Sequence, residues 1–71
     1  MFNFDKLIGR IVEKFGTRAA FAEALGLGAG RLSERLSGSM HFKADEIQKA
    51  AVLLEIPPEE IGTYFFNEKV R

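Results

Sequence analysis

The sequence predicts an all-α domain of five short helices. Apolar residues recur at helical spacing along the chain, and the pattern is interrupted at Gly16, Gly26, Gly38 and Pro57. No stretch shows the alternation typical of a strand. Apolar residues make up 46% of the 71 residues, which suffices for one compact core near the lower size limit of such domains. We therefore expect a single domain over residues 1–71.

The first two predicted helices are separated by a minimal link. Residues 4–15 place apolar side chains on one face and charged side chains on the other, and Gly16 supplies a left-handed end. Thr17 is a typical N-cap, because its hydroxyl oxygen can accept a hydrogen bond from a free backbone N–H. The second predicted helix follows Thr17 and runs through Leu25 to Gly26.

Three further helices are predicted. The third begins near Ala29, ends at residue 36 or 37 and is stopped by Gly38. The fourth begins near Ala44 after a polar loop, and acidic residues in its first turn suit the positive end of the helix dipole. Two prolines end it, and the second, Pro58, is a suitable first residue for a fifth helix. The residues of the last two helices that are expected to face the core are Ile47, Ala50, Ala51, Leu54, Ile61, Tyr64 and Phe65.

The composition argues against several classes of function. The chain has no Cys and one His, so it offers no disulfide or thiolate metal site, and we expect His41 to be an ordinary loop residue. No paired-carboxylate cleft is apparent, and the GLGAG stretch lacks the preceding strand of a nucleotide fingerprint. We therefore expect no enzyme activity, cofactor, metal or small-molecule ligand. The N-terminal segment is interrupted by charges, so we expect a cytoplasmic protein without membrane contact.

The charges are unevenly distributed along the chain. The net charge is zero, which argues against a nucleic-acid partner, because affinity for the duplex depends largely on Lys and Arg. Residues 6–43, however, carry seven Lys or Arg against three Glu, whereas residues 44–71 carry three Lys or Arg against six Asp or Glu. The first part of the chain is therefore basic and the second acidic.

Residues 17–38 carry a specific set of small and apolar side chains. Ala22 lies midway in the first helix of this segment, where a small side chain lets two helices approach, and Gly26 falls four residues later in the turn. Leu32 occupies the buried position of the next helix. Apolar Leu27 follows Gly26, and Phe21 and Leu25 complete the inward face. At these positions the segment resembles the helix-turn-helix of the lambda-repressor and Cro-like family of phage and bacterial regulators.

The resemblance extends over nearly the whole chain and implies a five-helix, lambda-repressor-like fold. The ending EIGTYFFNEKV is similar to that of small Cro-like phage proteins. The implied function is that of a phage or prophage transcription regulator. Such a protein binds a pseudo-palindromic operator in double-stranded DNA as a homodimer, with its third helix in the major groove.

Two places depart from the family pattern. Arg35 stands where the family commonly has an aliphatic residue, and Leu36 is expected to supply that burial. Gly28, Ala29 and Gly30 stand where family members often begin the recognition helix with side chains that reach bases. The two glycines either let the helix N-terminus approach DNA closely or merely form an adequate helix start.

A helical wheel indicates which residues of the third helix could contact bases. With Leu32 and Leu36 facing inward, small and charged polar residues lie on the opposite side, flanked by the two arginines. Arg prefers guanine, Glu can accept from the cytosine amino group, and Ser pairs with several base edges. Glu34 could instead pair with Arg31 and repel phosphate. The residues expected to contact bases are Arg31, Ser33, Glu34 and Ser37.

Other residues are expected to contact phosphate. Arg18 stands where the family often uses Gln to hold a phosphate oxygen, and it supplies the same contact with a full charge. Lys6, Arg10 and Lys14 form a basic ridge on the first helix, of which the first two are equally well explained as solvated charges. The residues expected to contact phosphate are Lys14, Arg18, Gly28, Ser39 and Lys43.

The tail contains three consecutive aromatic residues, Tyr64, Phe65 and Phe66, which cannot all face inward on one short helix. At least one is expected to be exposed or covered by a partner, and the three are predicted to form a homodimer interface. The tail FFNEKVR, residues 65–71, could finish the core with Phe65, Phe66 and Val70 or form a short extended arm that pairs with a second subunit. An alternative function is a protein–protein interaction module, such as an antirepressor, that uses the acidic and aromatic C-terminal half.

Overall fold

The computed structural model of this chain describes residues 2–67 and shows five α-helices in the predicted order. A 3₁₀ turn, Pro58–Glu60, leads directly into the last helix. The prediction of an all-α, five-helix fold is confirmed, and each of the first three helices ends at the Gly that was expected to end it. The helices are α1 (Asp5–Phe15), α2 (Arg18–Leu25), α3 (Ala29–Ser37), α4 (Ala44–Leu53) and α5 (Ile61–Phe65).

The connections around α2 depend on a capping residue and on a left-handed Gly. Thr17 Oγ1 accepts a hydrogen bond of 3.1 Å from Ala20 N–H and so caps α2. Gly26 follows α2 with φ of 79°, a conformation that Gly adopts without side-chain strain. Leu27 N–H then donates to Ala22 O at 2.9 Å. The chain therefore reverses direction within a few residues and brings α3 against α2.

All five helices contribute side chains to one core. Leu7 of α1, Phe21 of α2 and Phe65 of α5 are almost completely buried. Ile47 and Ile61, which were expected to face the core, are only partly buried against it. The other buried apolar residues are Phe4, Ile11, Ala22, Leu25, Leu32, Ala50, Ala51, Leu54, Ile56 and Tyr64.

Edge-to-face aromatic contacts join the N-terminal segment to the second half of the chain. Phe42, in the loop between α3 and α4, lies between Phe4 and Phe65, with ring centroids 5.6 and 5.2 Å away. Phe2 packs against Phe66 at 5.6 Å. Aromatic pairs of this kind stabilise a fold by about 0.5–1.5 kcal/mol beyond the area they bury. These contacts therefore help to hold the N-terminal segment and α5 on the same core.

The described part of the tail returns to the N-terminal segment of the same chain. Asn3 N–H donates a hydrogen bond of 2.6 Å to Asn67 O. Residues 66–67 therefore pair within the chain. From the sequence alone, an extended arm pairing with a second subunit was one of two alternatives for this tail. The rest of that predicted arm, residues 68–71, lies outside the described residues.

The three tail aromatics differ in exposure. Tyr64 and Phe65 expose only 8% and 2% of their surface, whereas Phe66 exposes 50%. The expected interface is therefore corrected for Tyr64 and Phe65, which α5 turns inward, where it packs against α1. Phe66 alone of the three presents a surface that a second subunit could cover.

The helices are short. The longest, α1, has 11 residues and spans about 16 Å at 1.5 Å per residue, whereas the hydrocarbon core of a bilayer is about 30 Å thick. Within residues 2–67, no helix has the length and apolar composition needed to cross a membrane.

Candidate nucleic-acid interface

The close approach of α2 and α3 depends on small and apolar side chains between them. Ala22, on α2, exposes 1% of its surface, and its methyl group leaves room for the neighbouring helix. Leu32, on α3, is equally buried. The chain thus places α2, a tight turn and α3 in a helix-turn-helix arrangement, with one side of α3 against the core and the other in solvent.

The outward side of α3 is polar and uncovered. Arg31, Ser33, Glu34 and Ser37 are all exposed, and these are the residues that the sequence indicated for base contact. Among the described residues, Arg31 forms no ion pair. A nucleic acid could therefore reach these four side chains without any rearrangement of the chain.

The hydroxyl of Ser37 is engaged at the end of α3. Ser37 Oγ lies 3.1 Å from Glu34 O and 3.0 Å from Ser39 Oγ, and Ser39 N–H donates to it at 3.4 Å. Gly38 completes this turn with φ of 89°. Both serines stay exposed, but their hydroxyls already stabilise the helix end, so base or phosphate contacts would have to share them.

The helical wheel placed Arg35 beside the outward side of α3, but the structure buries this side chain. It exposes 5% of its surface, and its Nε and Nη2 donate to the two carboxylate oxygens of Glu46 at 3.1 and 3.2 Å. Leu36, expected to supply the burial at this place, is only partly buried. The charged pair therefore occupies the contact between α3 and α4. The wheel misplaced Arg35 because it contains no information about Glu46 on the neighbouring helix.

Glu46 is held in its ionised form by several donors. Burial alone raises the pKa of this carboxyl, but the hydrogen bonds from Arg35 and from Lys43 N–H, together with the positive charge of Arg35, outweigh it. The net effect is a pKa below the usual range. Because Lys43 N–H donates to Glu46 Oε1 at 3.0 Å, the same carboxylate also caps the first turn of α4.

The basic ridge of α1 is directed at other parts of the chain. Arg10 Nε donates to Leu54 O at 2.9 Å, and Lys14 Nζ lies 3.5 Å from Glu55 Oε2. Lys6 Nζ lies 5.1 Å from the centre of the Tyr64 ring. The positions of the Lys6 and Arg10 charges are thus explained by contacts within the chain and need no phosphate partner. Lys14 would have to share its charge between a phosphate and Glu55.

Two predicted phosphate contacts carry exposed charges on the surface. Arg18 is exposed at the first residue of α2, and Lys43 is exposed just before α4. Neither forms an ion pair with another described residue. Gly28 precedes α3, and a Cβ atom added there would meet nothing within 4 Å, so the backbone at the start of α3 is open to close approach.

Sequence reasoning missed Lys49. Its Nζ lies 3.5 Å from the place that a Cβ on Gly26 would occupy, beside the turn between α2 and α3. The sequence indicates only that Lys49 belongs to the acidic half of the chain. The packing of α4 against α2 brings this exposed cation to the helix-turn-helix, and no local pattern could have shown it.

Other kinds of site have little support. Within residues 2–67, no three His, Asp or Glu side chains are grouped as ligands for a metal ion. An open cavity of about 160 Å³ lies between the N-terminal segment, the start of α1 and the end of α3. It is lined by both apolar and polar residues: Phe2, Asn3, Phe4, Asp5, Ile8, Leu36 and Ser37. Asn3 Oδ1 already accepts from Asp5 N–H, and Ser37 Oγ already contacts Glu34 O and Ser39 Oγ, so the lining indicates no particular ligand.

Comparisons with known proteins agree with this architecture. A family model described as a protein of unknown function, DUF739, matches residues 1–68. The chain is also similar to the modulator of repression (MOR) of the temperate bacteriophage TP901-1 from Lactococcus lactis. The solution structure of that phage regulator matches with a TM-score of 0.82 and 43% sequence identity, over 99% of this chain and 95% of that chain. No match was found among curated proteins.

Proposed function

Since this chain belongs to the DUF739 family and is homologous to a phage regulatory protein, we propose that it is a transcription regulator of the lambda-repressor and Cro-like type. In this proposal the protein binds a pseudo-palindromic operator in double-stranded DNA. Each protomer of a homodimer inserts α3 into a major groove, and the half-sites lie about 34–36 Å apart.

The observation that carries the proposal is the uncovered polar side of α3. A helix can enter the major groove only if one of its sides is free of the protein's own contacts. Arg31 and Ser33 meet this condition, and Glu34 stays exposed although its carboxylate lies 3.8 Å from Arg35 Nη1, while Leu32 fixes the opposite side of α3 in the core. In a groove, Arg31 would donate to guanine and Glu34 would accept from the amino group of cytosine.

Phosphate contacts would surround this side. Arg18 and Lys43 supply exposed cationic groups at the starts of α2 and α4, and Lys49 adds a third beside the turn. Contacts of this kind fix the orientation on the duplex without reading its sequence. With few long side chains at the start of α3, we expect part of the selectivity to come from DNA shape.

A second candidate function is binding to another regulatory protein, such as a repressor. The related phage protein is described as a modulator of repression, and the basic ridge of this chain is largely engaged by Tyr64, Glu13 and Glu55. Together with a net charge of zero, this favours a partner less dependent on phosphate attraction. Of the aromatic residues that the sequence proposed for such binding, Phe66 is half exposed.

The test is selection of binding sites from a random pool of duplex DNA, followed by affinity measurements over a range of salt concentrations. Operator binding should weaken steeply between about 50 and 200 mM salt. Substituting Arg18→Gln or Lys43→Gln should weaken binding to all sequences alike and reduce the salt slope by about 1.

The matched control is Lys6→Gln, which removes the same charge from a side chain that lies over Tyr64. Its affinity for the selected operator should match that of the unchanged protein. If the random pool yields no enriched sequence, the operator proposal fails and the protein-binding candidate replaces it.

A further inference from the structure

The contact between α3 and α4 contains a nearly buried ion pair with two-pronged geometry. Arg35 exposes 6% of its side chain and Glu46 exposes 12%. Two parallel N–H···O bonds of 3.1 and 3.2 Å join the guanidinium to the carboxylate. Pairs of this kind are directional, because a planar guanidinium meets a carboxylate well only in a narrow range of orientations.

The same pair touches three residues of the candidate interface. Arg35 Nη1 lies 3.5 Å from Arg31 O and 3.8 Å from Glu34 Oε1, so it contacts two of the four residues expected to contact bases. On the other side, Glu46 Oε1 accepts from Lys43 N–H at 3.0 Å. One buried pair thus links the base-reading side of α3 to an expected phosphate contact before α4.

Stability alone does not explain an ion pair at this place. Removing two charges from water offsets much of their attraction, and well-packed apolar residues of similar volume often stabilise a protein as much or more. What an apolar contact would not supply is the fixed direction of the two hydrogen bonds. The arrangement therefore favours a role in setting geometry.

We infer that Arg35 and Glu46 are positioning residues, whose pairing fixes the orientation of α3 relative to the start of α4. The inference rests on the proposed operator binding and deepens it. The two outward-facing elements then meet a duplex as one rigid unit, so that base contacts from α3 and the phosphate contact of Lys43 form together. Neither Arg35 nor Glu46 touches DNA.

The test is the double variant Arg35→Met/Glu46→Leu, which replaces the pair by apolar side chains of similar size. We expect a melting temperature at or above that of the unchanged protein. Residual dipolar couplings of the backbone amides should show that α3 no longer holds its original orientation relative to α4. Affinity for the selected operator should fall by about tenfold or more, and discrimination between bases should be reduced.

A matched control is Arg10→Met/Glu13→Leu, which removes the Arg–Glu pair of α1. This control should lose stability but, measured well below its melting temperature, should bind the operator as the unchanged protein does. An unchanged orientation of α3 in the Arg35→Met/Glu46→Leu variant would overturn the inference, as would full operator affinity despite a changed orientation. Failure of the unchanged protein to bind any operator would instead count against the proposed function, since the couplings report the orientation without DNA.

Discussion

The guanidinium of Arg10 on α1 donates a hydrogen bond of 2.9 Å from Nε to the backbone oxygen of Leu54, just after α4 ends. A second bond of 3.3 Å reaches Glu55 O. The last carbonyls of a helix lack partners within it and carry partial negative charge. Arg10 therefore caps α4 from a helix more than forty residues earlier in the chain.

The cap predicts a loss of stability on truncation of Arg10. Substituting Arg10→Met keeps the apolar stem but leaves the carbonyls of Leu54 and Glu55 to water, and we expect the free energy of unfolding to fall by about 1–2 kcal/mol. Urea denaturation measures this value. Arg10→Lys, which lacks the forked donor group, should give an intermediate loss, and equal stability of all three proteins would contradict the capping role.

Two glycines with different backbone conformations, Gly26 after α2 and Gly9 inside α1, predict opposite effects of substitution by Ala. Gly26→Ala should destabilise the protein by about 1–2 kcal/mol, because φ of 79° places a side chain in the left-handed region. Lys49 Nζ, 3.5 Å away, is at ordinary contact distance, so the cost comes from the backbone. Gly9→Ala, inside α1 with open space around it, should stabilise by about 0.5–1 kcal/mol. Thermal unfolding of both variants tests the sign of each effect.

Glu55 follows α4 with φ of 55°, an unusual value for a residue with a side chain. Glu55→Gly should therefore stabilise the fold by up to about 1 kcal/mol. The control Glu55→Gln removes the charge but keeps the strain, and because the pair with Lys14 is 73% exposed on the Glu55 side, it should change stability little. If Gln and Gly stabilise equally, charge rather than backbone strain is responsible.

The lowered pKa of Glu46 predicts that substituting this residue changes how the stability of the fold depends on pH. A carboxyl whose pKa is lower in the folded state adds stability that is fully present above its ordinary pKa of about 4.3 and is lost as the pH falls through the folded-state value. Glu46→Gln removes this contribution. The stability difference between the unchanged protein and the variant should therefore be largest near pH 7 and shrink below about pH 4. Denaturation curves over this pH range measure the stability difference, and a difference that does not change with pH would contradict the lowered pKa of Glu46.

The exposure of Phe66 predicts its role in self-association. If a homodimer forms through this residue, sedimentation velocity should show a concentration-dependent coefficient, and Phe66→Ser should shift the equilibrium to the monomer. Val52→Ser is a suitable control, because Val52 is 78% exposed on α4 and was not predicted to lie in an interface. A sedimentation coefficient that does not change with concentration in the unchanged protein would remove the dimer proposal.

Local chemistry explains why much of the fold could be predicted from the sequence. Thr17, Gly26 and Gly38 act on the backbone within a turn of their own position, so cap and turn preferences place the helix ends. The orientation of α3 likewise follows from Leu32, whose burial leaves the opposite side of the helix in solvent.

The partners of the charged side chains could not be predicted in this way. Arg35 meets Glu46 eleven residues away, and Arg10 meets Leu54 across 44 positions. A helical wheel assigns each charge to solvent by default, because it contains no information about neighbouring helices. The exposed side of α3 was therefore easier to foresee than the partners of the charged side chains behind it.

The empty space beside Gly28 and Gly30 has a consequence for how such proteins can diverge. A Cβ atom at either position would touch no other part of the chain, and both backbones lie outside the left-handed region. New side chains can therefore be added at the start of α3 without repacking the interior. If α3 contacts DNA as proposed, descendants of one regulator could acquire different targets through single codon changes here while keeping the inherited scaffold intact.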